Sequence, residues 1–204
     1  MMKNLLTAAA IAIAVPALLA APAMANAVVG QPAPAFTAVD SNGKSHSLSD
    51  FRGKTVVLEW TNEHCPFVNK FYTGGDMQRL QADAKKQGVV WLTVNSGAEG
   101  KQGHVNGAAA NAKMKRHGFN STAYLLDHSG AVGKAYGART TPHMFVINPA
   151  GTLVYAGGID NMPTADPADI PRAQNFVTKA LADLAAGKAV ATATSRPYGC
   201  SVKY

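Results

Sequence analysis

Cys65, one of two cysteines in the chain, lies where an apolar run ends and a proline begins. Residues 55–60 are mostly β-branched, apolar or aromatic and predict a buried strand. Pro66 suits the first turn of a helix, where its missing N–H would have no partner. The sequence therefore places a thiol at a helix N-terminus, where free N–H groups and the helix dipole stabilise a thiolate. Redox or nucleophilic chemistry is the leading interpretation, and an inert core thiol is the alternative.

Several neighbouring residues could assist such a thiol. His64 could stabilise a thiolate as an imidazolium, or act as an acid or base, unless it is simply exposed. Glu59 lies inside the predicted strand, where burial would raise its pKa and suit it to relaying a proton. Strand alternation could equally direct that carboxyl group to solvent. Trp60, Thr61 and Asn62 are predicted to shape the site.

Cys200, the second cysteine, lies close to the C-terminus. An even cysteine count in an oxidising compartment favours a disulfide. One interpretation is that Cys200 resolves an oxidised Cys65, since a sulfenic acid condenses with a second thiol. A structural bridge, a redox partner on another protein and a free thiol are the alternatives. Arg196, Tyr198 and Tyr204 are predicted to dock this segment on the domain.

Residues 1–25 have the pattern of a secretory signal peptide. Lys3 gives a positive start, residues 5–21 are almost wholly apolar, and residues 23–25 have the small-x-small form of a cleavage site. A retained membrane anchor is the alternative, but the run contains Pro16 and is short for a span of about 20 residues. The sequence predicts export across the inner membrane to the periplasm, without stable membrane insertion after cleavage.

Composition argues against several classes of partner. The net charge is +7, but the charges are scattered and form no basic stripe with interleaved aromatics, so we expect no nucleic-acid partner. The six histidines lack tight ligand spacing, and no nucleotide or flavin fingerprint is present, so we expect no metal and no cofactor. A copper or zinc site formed by His64, Cys65 and His143 is the alternative.

The pattern along the chain predicts one α/β domain at 26–187, a mixed central sheet flanked by helices, followed by a C-terminal arm at 188–204 that carries Cys200. The first half of the arm, 189–194, is expected to be mobile. Strands are predicted at 55–60, 89–94, 123–126, 143–148 and 152–156, and helices at 66–87 with a break at Gly74-Gly75, 108–117, 129–136 and 169–186.

The order of these elements resembles the thioredoxin fold and, within it, the redoxin branch, the alkyl hydroperoxide reductase and thiol-specific antioxidant superfamily. It is most similar to a peroxiredoxin-like bacterial group with one active-site cysteine in Cys-Pro-Phe-Val and a Pro-Tyr-Gly-Cys ending. The resemblance implies that Pro142 is a cis-proline facing Cys65; an ordinary trans turn proline is the alternative. The matching pieces are Gly30-x-x-Ala33-Pro34-x-Phe36, Leu48-x-x-Phe51-x-Gly53-Lys54, the Trp60 strand leading to Cys65, and Thr141-Pro142.

The chain departs from this family's patterns at several positions. Thioredoxins use Cys-x-x-Cys, but Val68 takes the second cysteine's place. Leu58 and Asn62 stand where peroxiredoxins carry the proline and the hydroxyl residue of the peroxide pocket. The peroxide-site arginine aligns near Pro142, and the nearby Arg139 is not a clean match. The peroxidase pocket is therefore not matched residue by residue.

Taken together, these features predict a thiol-dependent, peroxiredoxin-like oxidoreductase of the extracytoplasmic space. Cys65 would reduce peroxides or the disulfides of proteins or small molecules, and an external thiol would supply the electrons. The sequence is compatible with a homodimer. One alternative is a disulfide exchanger without peroxidase activity. Another is a non-catalytic thioredoxin-fold binding protein or metal chaperone in which a Cys65–Cys200 disulfide is structural.

Overall fold

A seven-stranded mixed sheet forms the centre of the protein. The structure, a computed structural model, describes residues 26–204, so the predicted signal peptide at 1–25 lies outside it. The strands are β1 (Thr37–Asp40), β2 (Ser45–Ser47), β3 (Val56–Trp60), β4 (Val90–Asn95), β5 (Ala123–Leu126), β7 (His143–Ile147) and β8 (Leu153–Gly157), in the order β2-β1-β5-β4-β3-β7-β8. The short strands β6 (Thr140–Thr141) and β9 (Cys200–Ser201) pair separately.

The two central strands, β3 and β4, are buried along their whole length. They run parallel, whereas β7 pairs with β3 antiparallel and places His143 opposite Trp60. Strands buried on both faces are expected to have mostly apolar sequences, and these do except at Glu59, Thr93 and Asn95. Because β7 begins at the edge where β3 ends, the segment after β3 and the segment before β7 meet there. Cys65 and Pro142 are thereby brought to one edge of the sheet.

Helices cover both faces of the sheet and enclose two main clusters of buried side chains. The predicted break at Gly74-Gly75 is confirmed, with Gly75 at φ +79° between the first two helices. Cys65 belongs to the cluster under α1, α2 and α5, whereas Trp60 belongs to the cluster on the other face, with α4. The helices are α1 (Pro66–Thr73), α2 (Asp76–Lys86), α3 (Gly107–His117), α4 (Ala131–Tyr136) and α5 (Phe176–Ala185).

The last helix is shorter than predicted. Residues 169–186 were expected to form one helix, but Pro167–Arg172 is a 3-10 turn and α5 begins only at Phe176. Pro171 has no N–H for a continuing helical ladder. Asn175 then caps a new helix, since its side chain accepts a hydrogen bond from the N–H of Thr178 at 2.9 Å.

The C-terminal arm, whose first half was predicted to be mobile, pairs through residues 193–195 with the edge of β8. The N–H of Ala156 donates to the carbonyl of Ala193 at 3.1 Å, and the N–H of Ser195 donates back to Ala156 at 3.2 Å. Gly157 permits this approach, because a Cβ there would lie 2.7 Å from the Ser195 nitrogen. The arm therefore forms backbone hydrogen bonds with the edge strand β8, a pairing that the composition of the arm did not predict.

Candidate active site

A tight turn after β3 places Cys65 at the start of α1. The N–H of Cys65 donates to the carbonyl of Asn62 at 3.1 Å, and the Asn62 side chain accepts from the N–H of His64 at 2.9 Å. Cys65 is the extended N-cap residue, with Pro66 at the first helical position. Its carbonyl accepts the N–H groups of Val68 and Asn69, both at 3.0 Å. The predicted junction of strand, thiol and helix is therefore present.

Two segments distant in the sequence enclose the Cys65 thiol. Cys65 is fully buried, and its Sγ lies 3.0 Å from the carbonyl oxygen of Thr141, which can accept from the protonated thiol. The Thr141–Pro142 peptide bond is cis, as the resemblance implied. In the β6–β9 pair Thr141 is directly opposite Cys200, so both cysteines lie against the same residue. Both cysteines are present as free thiols.

The close approach of the arm depends on Gly199. A Cβ at this position would lie 2.8 Å from the carbonyl carbon of Thr141 and closer still to its oxygen. Gly199 also has φ +130°, a backbone conformation that favours glycine. The residue before Cys200 must therefore be small for the two thiols to meet in this way.

The two thiols differ in the free energy of losing a proton. Burial alone would raise the pKa of Cys65, but hydrogen bonds from the side chains of Cys200 and Thr141 and from the backbone of Cys200 and Val68 outweigh it, so that pKa is lowered. Burial, the hydrogen bond to Cys65 and the charge of Cys65 raise the pKa of Cys200 to about 12. The arrangement thus favours a thiolate on Cys65 and a protonated thiol on Cys200.

Glu59 lies at the centre of a buried hydrogen-bond network. Its carboxylate accepts from Tyr72 Oη at 2.6 Å, Trp91 Nε1 at 2.8 Å and Gln81 Nε2 at 3.0 Å. Burial raises the pKa of Glu59, while these hydrogen bonds oppose the rise. Of the two orientations considered for Glu59, the buried one is observed. Cys65 is not among the hydrogen-bond partners of this carboxylate within residues 26–204.

Lys113, which the sequence interpretation missed, adds a buried positive charge to this face of the sheet. It extends from α3 and is 3% exposed, with its Nζ 5.6 Å from the ring centroid of Phe119 and 5.9 Å from that of Tyr124. No hydrogen-bond partner for that Nζ occurs in the described part of the chain. Burial lowers the pKa of Lys113 to about 8, against the nearby charges of Glu63, Glu59 and Cys65. A lysine among other basic residues of one helix gives no sequence signal of this position.

The remaining predicted site residues surround the thiol less directly. Trp60 is on the opposite face of the sheet from Cys65, where its Nε1 donates to Ser96 at 3.0 Å. Thr61 is buried beside Asn62 in a small cleft that Thr141 also lines. The side chain of His64 is 59% exposed, with Nε2 3.6 Å from a Glu63 carboxylate oxygen, so it faces solvent. These positions suit Thr61 and Asn62 to shaping the site and leave His64 outside it.

The alternative metal site at His64, Cys65 and His143 is not assembled. His143 is buried next to Pro142, its Nδ1 accepts the N–H of Arg139 at 3.2 Å, and burial lowers its pKa to about 3. Across residues 26–204, no group of three or more His, Cys, Asp or Glu side chains could hold a metal ion.

A buried ion pair that the sequence did not reveal lies behind Cys65. Lys70 on α1 has a fully buried side chain, and its Nζ lies 3.4 Å from an Asp160 carboxylate oxygen and donates to the carbonyl of Met162 at 2.8 Å. Tyr198 from the arm donates to the same Asp160 carboxylate. The arm therefore contacts a charge pair in the domain as well as the thiol. The available signal was Lys70 itself, the one charged residue of this helix.

Comparison with known proteins shows the family and the fold of the chain. The family described as Redoxin matches residues 28–175 of the chain. The thiol-disulfide oxidoreductase ResA of Bacillus subtilis (strain 168) is 35% identical over 125 residues, which cover 61% of this chain and 64% of that protein. The chain therefore matches less than two thirds of the length of this relative.

Two solved structures share the architecture over most of the chain. A hypothetical protein, SMc02350, from Sinorhizobium meliloti 1021 has a TM-score of 0.73 and 25% identity, covering 87% of this chain and 94% of its own. An uncharacterized conserved protein from Geobacillus kaustophilus has a TM-score of 0.74 and 24% identity, covering 87% and 92%. The predicted thioredoxin-like α/β fold, with a mixed central sheet flanked by helices, is confirmed.

Proposed function

Because the chain belongs to the redoxin family, we propose that it is a thiol-disulfide oxidoreductase in which Cys65 is the nucleophile and Cys200 the resolving thiol. The observation that carries the proposal is that Thr141 contacts both cysteines at the N-terminus of α1: its carbonyl oxygen lies 3.0 Å from the Cys65 sulfur, and its backbone pairs with Cys200. In this arrangement the pKa of Cys65 is lowered and that of Cys200 is raised. A thiolate is the attacking form in disulfide exchange, so this pairing prepares Cys65 to react first.

The proposed reaction has two exchange steps. Because Cys65 is fully buried in the reduced protein, the arm must first move away from it. The Cys65 thiolate then attacks one sulfur of a substrate disulfide, forming a mixed disulfide and releasing the other sulfur as a thiolate. Cys200 then attacks the Cys65 sulfur, its proton passes to the departing thiolate, and a Cys65–Cys200 disulfide forms. The substrate gains two electrons and the protein loses two. An external thiol reductant restores both cysteines.

Disulfide substrates fit the local sequence better than peroxides. A resolving thiol at Cys200 replaces the second cysteine of Cys-x-x-Cys, whose place Val68 takes in α1. The peroxide pocket lacks its expected residues, since Leu58 is buried core and Asn62 forms the turn before Cys65. Peroxide reduction is the second candidate, favoured by the peroxiredoxin-like Cys-Pro-Phe-Val and by a second thiol placed to condense with a sulfenic acid.

The remaining proposals concern where the protein works and how it is divided. We propose that residues 1–25 are removed on export, and that the protein works in the periplasm, where an oxidant for dithiols is present. Within residues 26–204, no helix is both long and apolar enough to cross a membrane. We also propose that 26–187 form the catalytic domain and 188–204 the arm, with disulfide-bearing substrates and an external thiol as partners. A homodimer remains a secondary proposal.

Intact mass spectrometry of the reduced protein tests the proposal and separates its two substrates. With oxidised glutathione, the wild type should lose the mass of two hydrogens and Cys200→Ser should retain one glutathione. With one equivalent of hydrogen peroxide, rapid formation of the same internal disulfide, and a sulfenic acid in Cys200→Ser, would establish peroxidase activity instead. Cys65→Ser is the control for both. Failure of the wild type to react with either oxidant would exclude the oxidoreductase and leave a structural or binding role.

A further inference from the structure

Two tyrosines of the arm fasten it to the domain on either side of Cys200. Tyr198 Oη donates to the carboxylate of Asp160. Tyr204 Oη donates to the carbonyl of Ala138 at 2.6 Å. These anchors lie two residues before and four residues after Cys200, so the β9 strand is held at both ends.

The first anchor joins the arm to the helix that carries Cys65. Asp160 is paired with Lys70 on α1, and both side chains are at most 1% exposed. The Tyr198 ring centroid lies 5.7 Å from the Lys70 Nζ, and this ring packs edge to face against Phe67 at 6.0 Å. A hydrogen bond from a hydroxyl to a buried carboxylate stabilises the structure more than one to an exposed group, because water does not compete for the carboxylate. Tyr198 is therefore fixed relative to the first turns of α1.

The second anchor joins the arm to the other face of the site. The Tyr204 ring occupies space that two glycines of α4 and its N-cap leave open, since a Cβ at Gly130 or Gly133 would lie 2.5 Å from a Tyr204 atom. Lys134 places its Nζ 5.6 Å from the ring centroid. The N–H of Ala98, in the loop after β4, donates to the carbonyl of the residue before Tyr204 at 2.8 Å. The absence of side chains at Gly130 and Gly133 thus leaves room for the Tyr204 ring.

We propose that Tyr198 and Tyr204 are positioning residues that set the effective concentration of the Cys200 thiol at Cys65. This inference rests on the proposed function, because it concerns the step in which Cys200 resolves Cys65. A tethered group reacts as though present at a concentration fixed by how narrowly its tether confines it. Anchors on both sides restrict Cys200 to the neighbourhood of one sulfur and remove most of the entropy that a free tail would lose.

The anchors therefore affect which thiol resolves the mixed disulfide on Cys65: Cys200 or an external thiol. With both anchors in place, the mixed disulfide on Cys65 is resolved internally and the substrate departs reduced. With the arm loosened, an external thiol competes for the mixed disulfide, and the Cys65–Cys200 disulfide becomes easier to reduce. The anchors therefore adjust the redox equilibrium of the pair without touching the substrate.

The test is the equilibrium of the full-length mature protein with defined ratios of reduced and oxidised glutathione. Acid quenching and mass spectrometry give the fraction with the internal disulfide, and hence the effective concentration. Tyr198→Phe should lower it by roughly tenfold, the fold-change for loss of one hydrogen bond to a charged group, and Tyr204→Phe by roughly threefold, as for a neutral partner. The double variant should show the product of the two effects if the anchors act independently.

Tyr136→Phe is the matched control. Its hydroxyl donates to the carbonyl of Pro34 at 2.8 Å, a buried hydrogen bond in which no residue of the arm takes part. That variant should lower the thermal midpoint while leaving the effective concentration within a factor of about two. An equal change in Tyr136→Phe and in the two arm variants would show a general loss of stability and overturn the inference.

The outcomes separate this inference from the proposed function. If the wild type forms no internal disulfide at any glutathione ratio, the resolving role of Cys200 fails. If the wild type forms it and the Tyr198→Phe and Tyr204→Phe values match the wild type, the oxidoreductase proposal stands and the positioning role is overturned. Since each tyrosine is tested separately, one variant that fails to fold leaves the other to decide.

Discussion

The backbone of Gly199 passes so close to the carbonyl of Thr141 that a side chain would not fit between them. This contact places the next residue, Cys200, beside Cys65. The contact joins the last strand of the chain to the residue preceding the cis-proline. Because Thr141 also contacts the Cys65 sulfur through its carbonyl, one backbone group touches the glycine of the arm and the buried thiol. A change at Gly199 should therefore be seen first in the redox properties of the pair.

Gly199→Ala should weaken internal disulfide formation. Relieving the clash with Thr141 must move the arm, at a cost of about 1–3 kcal/mol for overpacking, which corresponds to roughly tenfold or more in the effective concentration of Cys200. Equilibration with defined ratios of reduced and oxidised glutathione measures this effective concentration. Gly187→Ala is the control, since Gly187 also has positive φ, at +67°, but a Cβ there meets nothing within 4 Å. Equal effects of the two variants would show that backbone strain, rather than the contact with Thr141, is responsible.

Lys113→Met should raise the pKa of Cys65. The buried ammonium of Lys113 is one of the positive charges near the thiolate, and methionine keeps the length of the side chain without the charge. We expect iodoacetamide to alkylate Cys65 about two- to threefold more slowly at pH 7 in a Cys200→Ser background, with the pH profile displaced upward. Lys115→Met, an exposed position on the same helix, should leave the profile unchanged. A profile unaffected by Lys113→Met would show that this charge does not reach the thiol.

His143 should make the protein less stable as the pH falls from 7 to 5.5. Burial lowers its pKa to about 3 in the folded state, against about 6.5 when unfolded. The unfolded chain therefore binds the proton first, so the contribution of the neutral ring is present above pH 6.5 and is lost as the pH falls below it. The expected loss is about 1 kcal/mol over this interval.

Urea unfolding at several pH values measures this loss. His143→Gln removes the titrating group while its amide oxygen can still accept the N–H of Arg139. That variant should be less stable at pH 7 but should lose less stability on acidification. His64→Gln, at an exposed ring, should retain the wild-type slope. A slope of His143→Gln equal to the wild type would assign the pH dependence to other groups.

The sequence predicted best those features that depend on neighbouring residues. Cys65 before a helix-starting proline, the break at Gly74-Gly75 and the turn proline at position 142 each carry their signal within a few positions. The contacts that complete the site join residues far apart in the chain. Cys65 and Thr141 are 76 positions apart, and Lys70 and Asp160 are 90 apart. Spacing and composition contain no information about which distant segment lies beside a given residue.

The placement of Trp60 and of the arm shows two further limits. Trp60 precedes Cys65 by only five residues, yet strand alternation and the following turn put it on the opposite face of the sheet. Residues 189–194 lack every usual signal of structure, but backbone hydrogen bonds to β8 need no particular side chain. Pairing at a sheet edge uses groups that every residue has, and composition therefore does not reveal it.

The oxidised protein should be reduced by attack on Cys200, with Cys65 leaving. Cys65 is fully buried beneath β9, whereas Cys200 is partly exposed, so an incoming thiol reaches the sulfur of Cys200 first. The leaving group supports the same direction, because the thiol of lower pKa departs faster and the pKa of Cys65 is lowered while that of Cys200 is raised.

Brief exposure of the oxidised protein to reduced glutathione, followed by N-ethylmaleimide, should give glutathione on the peptide containing Cys200 and maleimide on the peptide containing Cys65. Replacing Lys113 by methionine should slow the step, since it makes Cys65 a poorer leaving group. Glutathione recovered on Cys65 instead would mean that the arm lifts before reduction, and that the buried sulfur is the one the reductant meets.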